Sequence, residues 1–155
     1  SENLFENRSC FITPLESTLE SAIHKVTEFW NELGSEITVI SPEAHDEIAA
    51  HISHLPHLVA SALCGLLSEK DPNWKNLSGA GLSDSTRIAS GDPALWREIL
   101  FQNREEVLRA LRSLQNKLDE VHSFLANNDS IALTAILERG KHYRDQFRPV
   151  KPTDL

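Results

Sequence analysis

One predicted helix carries four histidines within residues 45–57, together with a serine, an aspartate and an internal proline. On a helical wheel Asp46, Ser53 and His57 fall on one stripe, because separations of seven and eleven residues return to nearly the same face. Pro56 has no N–H and leaves the carbonyl of Ile52 free beside this stripe. Since imidazole changes its charge near neutral pH, such a face is suited to hydrogen-bonding a substrate in a cleft. The alternative is a solvated face with one histidine satisfied in the core.

A second polar cluster, residues 83–96, contains Arg87 among serine, threonine and glycine residues, just before a helix cap. An arginine in this position can hold a carboxylate or a phosphate by two parallel hydrogen bonds. The alternative is that Arg87 pairs with Asp84 or Asp92. Asp92 is itself a typical helix cap, and Trp96 is typical of a core position.

The sequence gives little support for a metal site. His51, His54 and His57 recur every third residue, so they drift by about 60° per step around a helix and only neighbouring pairs could hold one ion. His45-Asp46 resembles the motif of metal-dependent phosphohydrolases, but no distal ligand on a matching helix is evident. We therefore predict no metal ligands. Glycine-rich dinucleotide loops, Walker loops and Gly-x-Ser-x-Gly elbows are also absent from the sequence.

Proline and glycine residues divide the chain into predicted elements, most of them helices. Caps followed by proline predict helix starts at Thr13, Ser41 and Asp92, and Gly34 predicts a helix end. The predicted order is strand 8–13, helix 13–33, strand 36–40, helix 41–67 kinked at Pro56, polar loop 68–90, helix 92–126 and helix 130–147. Within helix 41–67 the apolar residues predicted to face inward are Ile48, Ile52, Leu55, Val59, Leu63 and Leu66.

Composition limits the class of protein. The 155 residues are 40% hydrophobic and 25% charged, which predicts one compact domain, and the formal charge of −8 disfavours nucleic acid as a partner. Cys10 and Cys64 lack metal-ligand spacing, so we expect buried thiols in a reducing, cytoplasmic compartment. The longest uncharged apolar run, 58–67, is half of a membrane span, and no signal segment is evident, so we expect no membrane partner.

The predicted helix 92–126 has a seam of apolar residues spaced by threes and fours: Leu100, Val107, Leu111, Leu114, Leu118, Val121 and Leu125. A helix of this length is too long to be covered by one domain of 155 residues. We therefore expect a homodimer that shares this seam. The alternative is that the seam packs against helices of its own chain.

Taken together, the motifs resemble the C-terminal helical domain of the prephenate dehydrogenases and the related arogenate dehydrogenases of tyrosine biosynthesis. The resemblance covers nearly the whole chain in order and spacing. The residues that carry it are Leu4-Phe5-Glu6-Asn7-Arg8, Ile12-Thr13-Pro14, His45-Asp46, Ser53-His54-Leu55-Pro56-His57-Leu58, Asp84-Ser85-Thr86-Arg87-Ile88-Ala89, Asp92-Pro93, Trp96 and Asn103.

The resemblance implies a mainly α fold, a helical bundle with a long heptad-bearing helix and at most two short strands, assembled as an intertwined dimer. It implies that residues 1–155 are a single C-terminal dimerisation and substrate-binding domain, and that an N-terminal domain for NAD or NADP lies outside this sequence. The reaction would be oxidative decarboxylation of prephenate or arogenate, with tyrosine as an inhibitor. This chain alone would bind no cofactor, contain no catalytic residue and be inactive.

The resemblance also implies roles for individual residues. Arg87 would hold a substrate carboxylate, and Ser53 and His57 would hydrogen-bond the substrate. Asp46 would gate the cleft through an ion pair, and Trp96 would approach the site from the partner subunit. Ala80 departs from the family pattern, in which a pair of glycines is common. A different class of function also fits the sequence, namely a free-standing dimerisation or sensing module that binds an aromatic acid without catalysis.

Overall fold

The computed structural model describes residues 3–147, which are mainly helical. The chain divides into two compact units, Ser1–Ala110 and Leu111–Leu155. A π-helical turn, Ala50–His54, and two 3₁₀ turns, Pro72–Leu77 and Arg87–Ser90, join the regular elements. Those elements are β1 (Ser9–Ile12), α1 (Glu20–Glu32), β2 (Glu36–Val39), α2 (Pro42–Ala49), α3 (Leu55–Ser68), α4 (Ala80–Thr86), α5 (Pro93–Gln102), α6 (Arg104–Ala126) and α7 (Ser130–Asp145).

The two predicted strands are confirmed and pair with each other. β1 and β2 run parallel, with Ser9 opposite Glu36 and Ile12 opposite Val39. Parallel strands need a crossover connection, and α1 supplies it. Gly34 adopts φ +84° directly after α1, in the left-handed region where a glycine ends a helix at little cost, as its position predicts.

The predicted start of the first helix at Thr13 is wrong, because α1 begins only at Glu20. The backbone stays extended past β1, since the N–H of Ile40 donates to the carbonyl of Ile12. Beyond that point the N–H of Leu15 donates to Thr18 Oγ1 in a local turn. Pairing of the strands therefore outweighs the capping signal.

The predicted start of the second helix at Ser41 is confirmed, since Ser41 Oγ accepts the N–H of Ala44 at 3.1 Å. At the predicted position of the kink the structure has the π turn, in which the N–H of Leu55 donates to the carbonyl of Ala50. A bond across five residues widens the helix just before Pro56, where an α turn would bring the proline ring against a carbonyl.

The π turn changes the phase of the apolar residues, because it uses one residue more than an α turn. Three of the residues predicted to face inward are exposed, namely Ile52, Val59 and Leu66. In their place the small side chains of Ala50 and Ala60 are buried. The helix therefore approaches its neighbours along alanines and leaves large apolar side chains outside.

The predicted polar loop 68–90 is wrong in conformation, since most of it is helical. Pro72–Leu77 and Arg87–Ser90 form 3₁₀ turns, and α4 lies between them. Both α4 and the turn Arg87–Ser90 pack against α3. Ala80 is the first residue of α4, so the departure from a glycine pair falls at a helix start.

The predicted single helix 92–126 is two helices. Asp92 Oδ1 accepts the N–H of Ala94 at 2.8 Å, which confirms the predicted cap of α5. Asn103, with φ −106° and ψ 33°, leaves helical geometry and separates α5 from α6. Further along, the predicted break before the last helix is confirmed, since Asn128 has φ 53° and Asp129 caps α7 through the N–H of Ala132.

Few apolar side chains are buried in this single chain. The core of the first unit joins Ala50, Val107 and Ala110 to Leu55, Leu58 and Leu100. Among the described residues no large side chain is fully buried. In the second unit the large apolar side chains of Leu118, Leu125 and Ile131 are exposed. Exposed large apolar side chains that form a contiguous patch are typical of interaction surfaces.

Within the described range, the continuous helical stretch Pro42–Ser68 is long and apolar enough to span a membrane by length and composition. Helices that pack in soluble proteins have the same property, so the observation is weak support for a span. The absence of a membrane partner stays a prediction.

Candidate functional site

The central feature of the site is a stacked pair of aromatic side chains. The imidazole of His57, in the first turn of α3, lies against the indole of Trp96 on α5, with ring centroids 3.6 Å apart and planes 10° from parallel. Both residues belong to one chain. This contact therefore needs no partner subunit, whereas the resemblance implied that Trp96 reaches the site from the partner.

His57 is buried, with 5% of its surface exposed, and its Nδ1 has no hydrogen-bond partner within residues 3–147. Burial lowers the pKa of His57, because the imidazolium loses its solvation there. The ring is therefore neutral at physiological pH. A neutral imidazole with an unsatisfied nitrogen is costly in a core and is typical of a site that receives a polar ligand.

A cavity of about 490 Å³ adjoins this pair. His57 and Trp96 line it, and α3, α5 and the segment between α4 and α5 supply the other walls. The remaining lining residues are Leu58, Ser61, Cys64, Ala89, Gly91, Pro93, Arg97, Leu100 and Phe101. A mostly apolar cavity with few polar groups is typical of a small-molecule site.

A second histidine, His54, lies beside Trp96 and is held by a hydrogen bond. Asn103 Nδ2 donates to the carbonyl oxygen of Asp46 at 2.8 Å and lies 3.3 Å from His54 Nδ1. The His54 ring also lies edge-on to Trp96, with centroids 6.4 Å apart. Burial lowers the pKa of His54, with a smaller opposing effect from Asp46 and a smaller lowering effect from His45.

Arg87 begins the 3₁₀ turn that packs against α3, and its side chain is exposed. Within the described part of the chain it forms no ion pair with Asp84 or Asp92, so the alternative that Arg87 is a structural partner of these carboxylates is wrong. Asp92 instead caps α5. The guanidinium is therefore free to bind an anion from outside.

Ser53 and Asp46 are exposed, whereas His57 is buried, so the three residues do not form the common face that the helical wheel predicts. The reason is the π turn between Asp46 and His57, which puts the two ends of the helix out of phase. Asp46 Oδ1 lies 3.0 Å from Nδ1 of His45, its neighbour in sequence.

Two contributors to this site were missed by sequence reasoning. Gly91 lies directly against the stacked pair, and Asn103 bridges Asp46 and His54 across 57 and 49 residues. No local pattern signals such a distant contact, although Asn103 does occur in the family resemblance. Among residues 3–147 no group of three His, Cys, Asp or Glu side chains is arranged to hold a metal ion. The two cysteines are free and half-buried.

We predict that Gly91→Ala separates the stacked pair. A Cβ at Gly91 would lie 2.5 Å from Trp96 Nε1 and 3.0 Å from His57 Cε1, so the indole must move. Overpacking of this kind costs about 1–3 kcal/mol. Thermal unfolding and the NMR shift of the Trp96 indole N–H measure the two effects. The matched control is Gly81→Ala, where no atom lies within 4 Å of the added methyl. Equal behaviour of the two variants would contradict the prediction.

Comparison with known proteins identifies the class. Residues 41–139 match the family model of the prephenate dehydrogenase dimerization domain. The chain therefore belongs to this family, as the sequence resemblance indicates. It is also 31% identical over 147 residues to the prephenate dehydrogenase of Bacillus subtilis (strain 168), an alignment that covers 93% of this chain and 40% of that protein.

Two solved structures agree in fold. The prephenate dehydrogenase of A. aeolicus in complex with hydroxyphenyl propionate and NAD+ is 31% identical, with a TM-score of 0.88, over 93% of this chain and 51% of that one. Synechocystis arogenate dehydrogenase is 29% identical, with a TM-score of 0.85, over 94% of this chain and 54% of that one. The present chain thus spans about half or less of the length of these relatives.

Proposed function

We propose that this chain is the dimerising and substrate-binding part of an NAD(P)-dependent prephenate or arogenate dehydrogenase. The observation that carries the proposal is the buried His57, stacked on Trp96 beside a cavity of about 490 Å³, in a chain of this family. The reaction is oxidative decarboxylation. The bond from the ring to its carboxylate breaks with release of carbon dioxide, and a hydride leaves the ring carbinol carbon, so that the ring becomes aromatic.

In this proposal the chain's own residues bind and orient the substrate. The free guanidinium of Arg87 holds a carboxylate by two charge-assisted hydrogen bonds. His57, kept neutral by burial, and the exposed hydroxyl of Ser53 hydrogen-bond the polar groups of the substrate. Asp46 gates the entrance through an ion pair, and we assign it the His45 ring, whose Nδ1 lies 3.0 Å from Asp46 Oδ1, as partner. Trp96 packs against His57 and fixes the plane of its ring.

NAD(P)+ accepts the hydride in this reaction, and we assign its binding to a separate nucleotide-binding domain. The basis is the sequence, which has no glycine-rich loop to receive a pyrophosphate at a helix N-terminus. We place the enzyme in the cytoplasm, where two free, half-buried thiols are stable. Tyrosine resembles the aromatic product and is proposed as an inhibitor that competes for the same cavity.

The exposed apolar side chains support a homodimer. In one chain Leu118, Leu125 and Ile131 are in contact with water, although each is large enough to contribute to an interface. A second copy would cover them by a two-fold contact, in which each copy presents the same surface.

We predict that the 155-residue chain alone reduces neither NAD+ nor NADP+ with prephenate or arogenate, whereas the intact enzyme that contains it does. The test is a time course of NAD(P)H absorbance with each substrate and each nucleotide. Its control is the same chain mixed with the separately produced nucleotide-binding domain. Turnover by the pure chain would contradict the assignment of nucleotide binding to a separate domain. An intact enzyme that is inactive with both substrates would refute the proposed function.

A further inference from the structure

The side chain of Asn103 links three parts of the first unit. Asn103 lies at the break between α5 and α6, and its amide reaches the helix that carries the histidines. One N–H of Nδ2 donates to the carbonyl of Asp46, which precedes the π turn, and the second points to Nδ1 of His54, the last residue of that turn. The amide thus connects α2, ahead of the π turn, with the last residue of that turn.

These contacts determine which nitrogen of the His54 ring carries the proton. An amide nitrogen only donates, so Nδ1 of His54 must accept and the ring proton must lie on Nε2. Burial favours the neutral ring as well. The Asp46 carbonyl also accepts the N–H of Ala50, so the two bonds to this oxygen use both of its lone pairs. The two hydrogens of the Asn103 amide are likewise both used.

The linked residues adjoin the candidate site. Ser53 and His54 belong to the π turn, and His57 follows one turn later. The ring of His54 lies edge-on to the same Trp96 that stacks on His57. A change in the orientation of the His54 ring or in the width of the π turn should therefore move Ser53 and His57, which are proposed to bind substrate.

We propose that Asn103 is a positioning residue that fixes His54 as the neutral ring protonated at Nε2 and holds the π turn that presents Ser53 and His57 to the substrate. Asn103 is not among the residues that line the cavity, and we argue that it acts through His54 and the Asp46 carbonyl. The expected effect on substrate binding rests on the proposed function. The assignment of the His54 proton to Nε2 does not depend on it.

The test uses the chain with ¹⁵N-labelled histidine. Couplings from the ring protons to Nδ1 and Nε2 show which nitrogen of His54 carries hydrogen, and a His54→Gln variant assigns the signals. In the wild type we expect hydrogen on Nε2. In Asn103→Ala we expect a mixture of both tautomers, and in Asn103→Asp we expect hydrogen on Nδ1, because a carboxylate can only accept. Gln102→Ala is the matched control, since it truncates an exposed neighbour on α5.

A second readout separates this proposal from the proposed function. In the intact enzyme, Asn103→Ala should raise KM for the substrate by about two- to tenfold with a smaller change in kcat, the size expected when one neutral hydrogen bond from Ser53 or His57 to the substrate is lost. An unchanged tautomer in Asn103→Ala overturns the proposal, and so does a changed tautomer with an unchanged KM. If the wild-type enzyme turns over neither substrate, the proposed function fails, and the tautomer alone then decides whether Asn103 fixes His54.

Discussion

Replacing Leu118 by aspartate is expected to weaken the homodimer by more than about a hundredfold. Burial of one leucine side chain contributes about 1.5–3 kcal/mol, and a two-fold interface contains two copies, so the loss is ~3–6 kcal/mol at ~1.4 kcal/mol per tenfold change in Kd. Leu118 is 58% exposed in the single chain and lies on the predicted seam of α6. The Leu118→Asp substitution is therefore expected to act mainly on the association of the two subunits.

Sedimentation equilibrium over a range of concentrations measures this change. Asn116→Asp is the matched control, because it introduces the same charge on the same helix at an exposed polar position off the seam. Circular dichroism checks that both variants remain helical. A wild-type monomer at tens of micromolar protein, or equal dimer constants for the two variants, would show that this face is not the interface.

Arg87→Ala is expected to raise KM for the substrate by about tenfold or more in the intact enzyme, equivalent to at least ~1.4 kcal/mol. The guanidinium is exposed and unpaired with Asp84 or Asp92, so truncation removes the proposed contact with the substrate and breaks no internal ion pair that the described residues show. The effect on kcat should be smaller, because the carboxylate is held in the ground state and the transition state alike.

Two comparisons sharpen this prediction. Arg97→Ala is the matched control, since Arg97 lines the cavity but its guanidinium is already paired with Glu98 at 2.7 Å. His57→Ala should raise KM less than Arg87→Ala, because a neutral hydrogen bond contributes about 0.5–1.5 kcal/mol. A lower melting temperature with unchanged KM in Arg87→Ala would assign Arg87 a structural role and contradict its role in binding.

Capping residues in the sequence predicted two helix starts correctly. The caps at Ser41 and Asp92 form as expected, because each needs only a side-chain oxygen and an N–H a few residues away. The left-handed backbone at Gly34 was also predicted correctly, because a glycine that ends a helix depends only on residues close to it in sequence. The helix start predicted at Thr13-Pro14 does not form. The reason is that β1 pairs with β2, a segment far away in sequence, and this pairing keeps the backbone extended past Ile12.

The candidate site was predicted only in part, since its geometry depends on contacts that no local pattern reveals. Residue types singled out His57, Arg87 and Trp96, but a regular helical wheel cannot anticipate a π turn that brings His57 inward and leaves Ser53 outside. The break at Asn103 was likewise missed, because it has no glycine or proline and is stabilised by Asp46 on another helix.

The central claim, that this chain binds substrate for oxidative decarboxylation, is tested most directly by measuring both products of one turnover. The intact enzyme is given prephenate or arogenate labelled with ¹³C in the ring carboxylate, and ¹³CO₂ and NAD(P)H are quantified together. We expect equal amounts of ¹³CO₂ and NAD(P)H from at least one substrate, formed at a much lower rate by Arg87→Ala at limiting substrate. Absence of both products from a folded, dimeric wild-type enzyme, or NAD(P)H without ¹³CO₂, would contradict the claim.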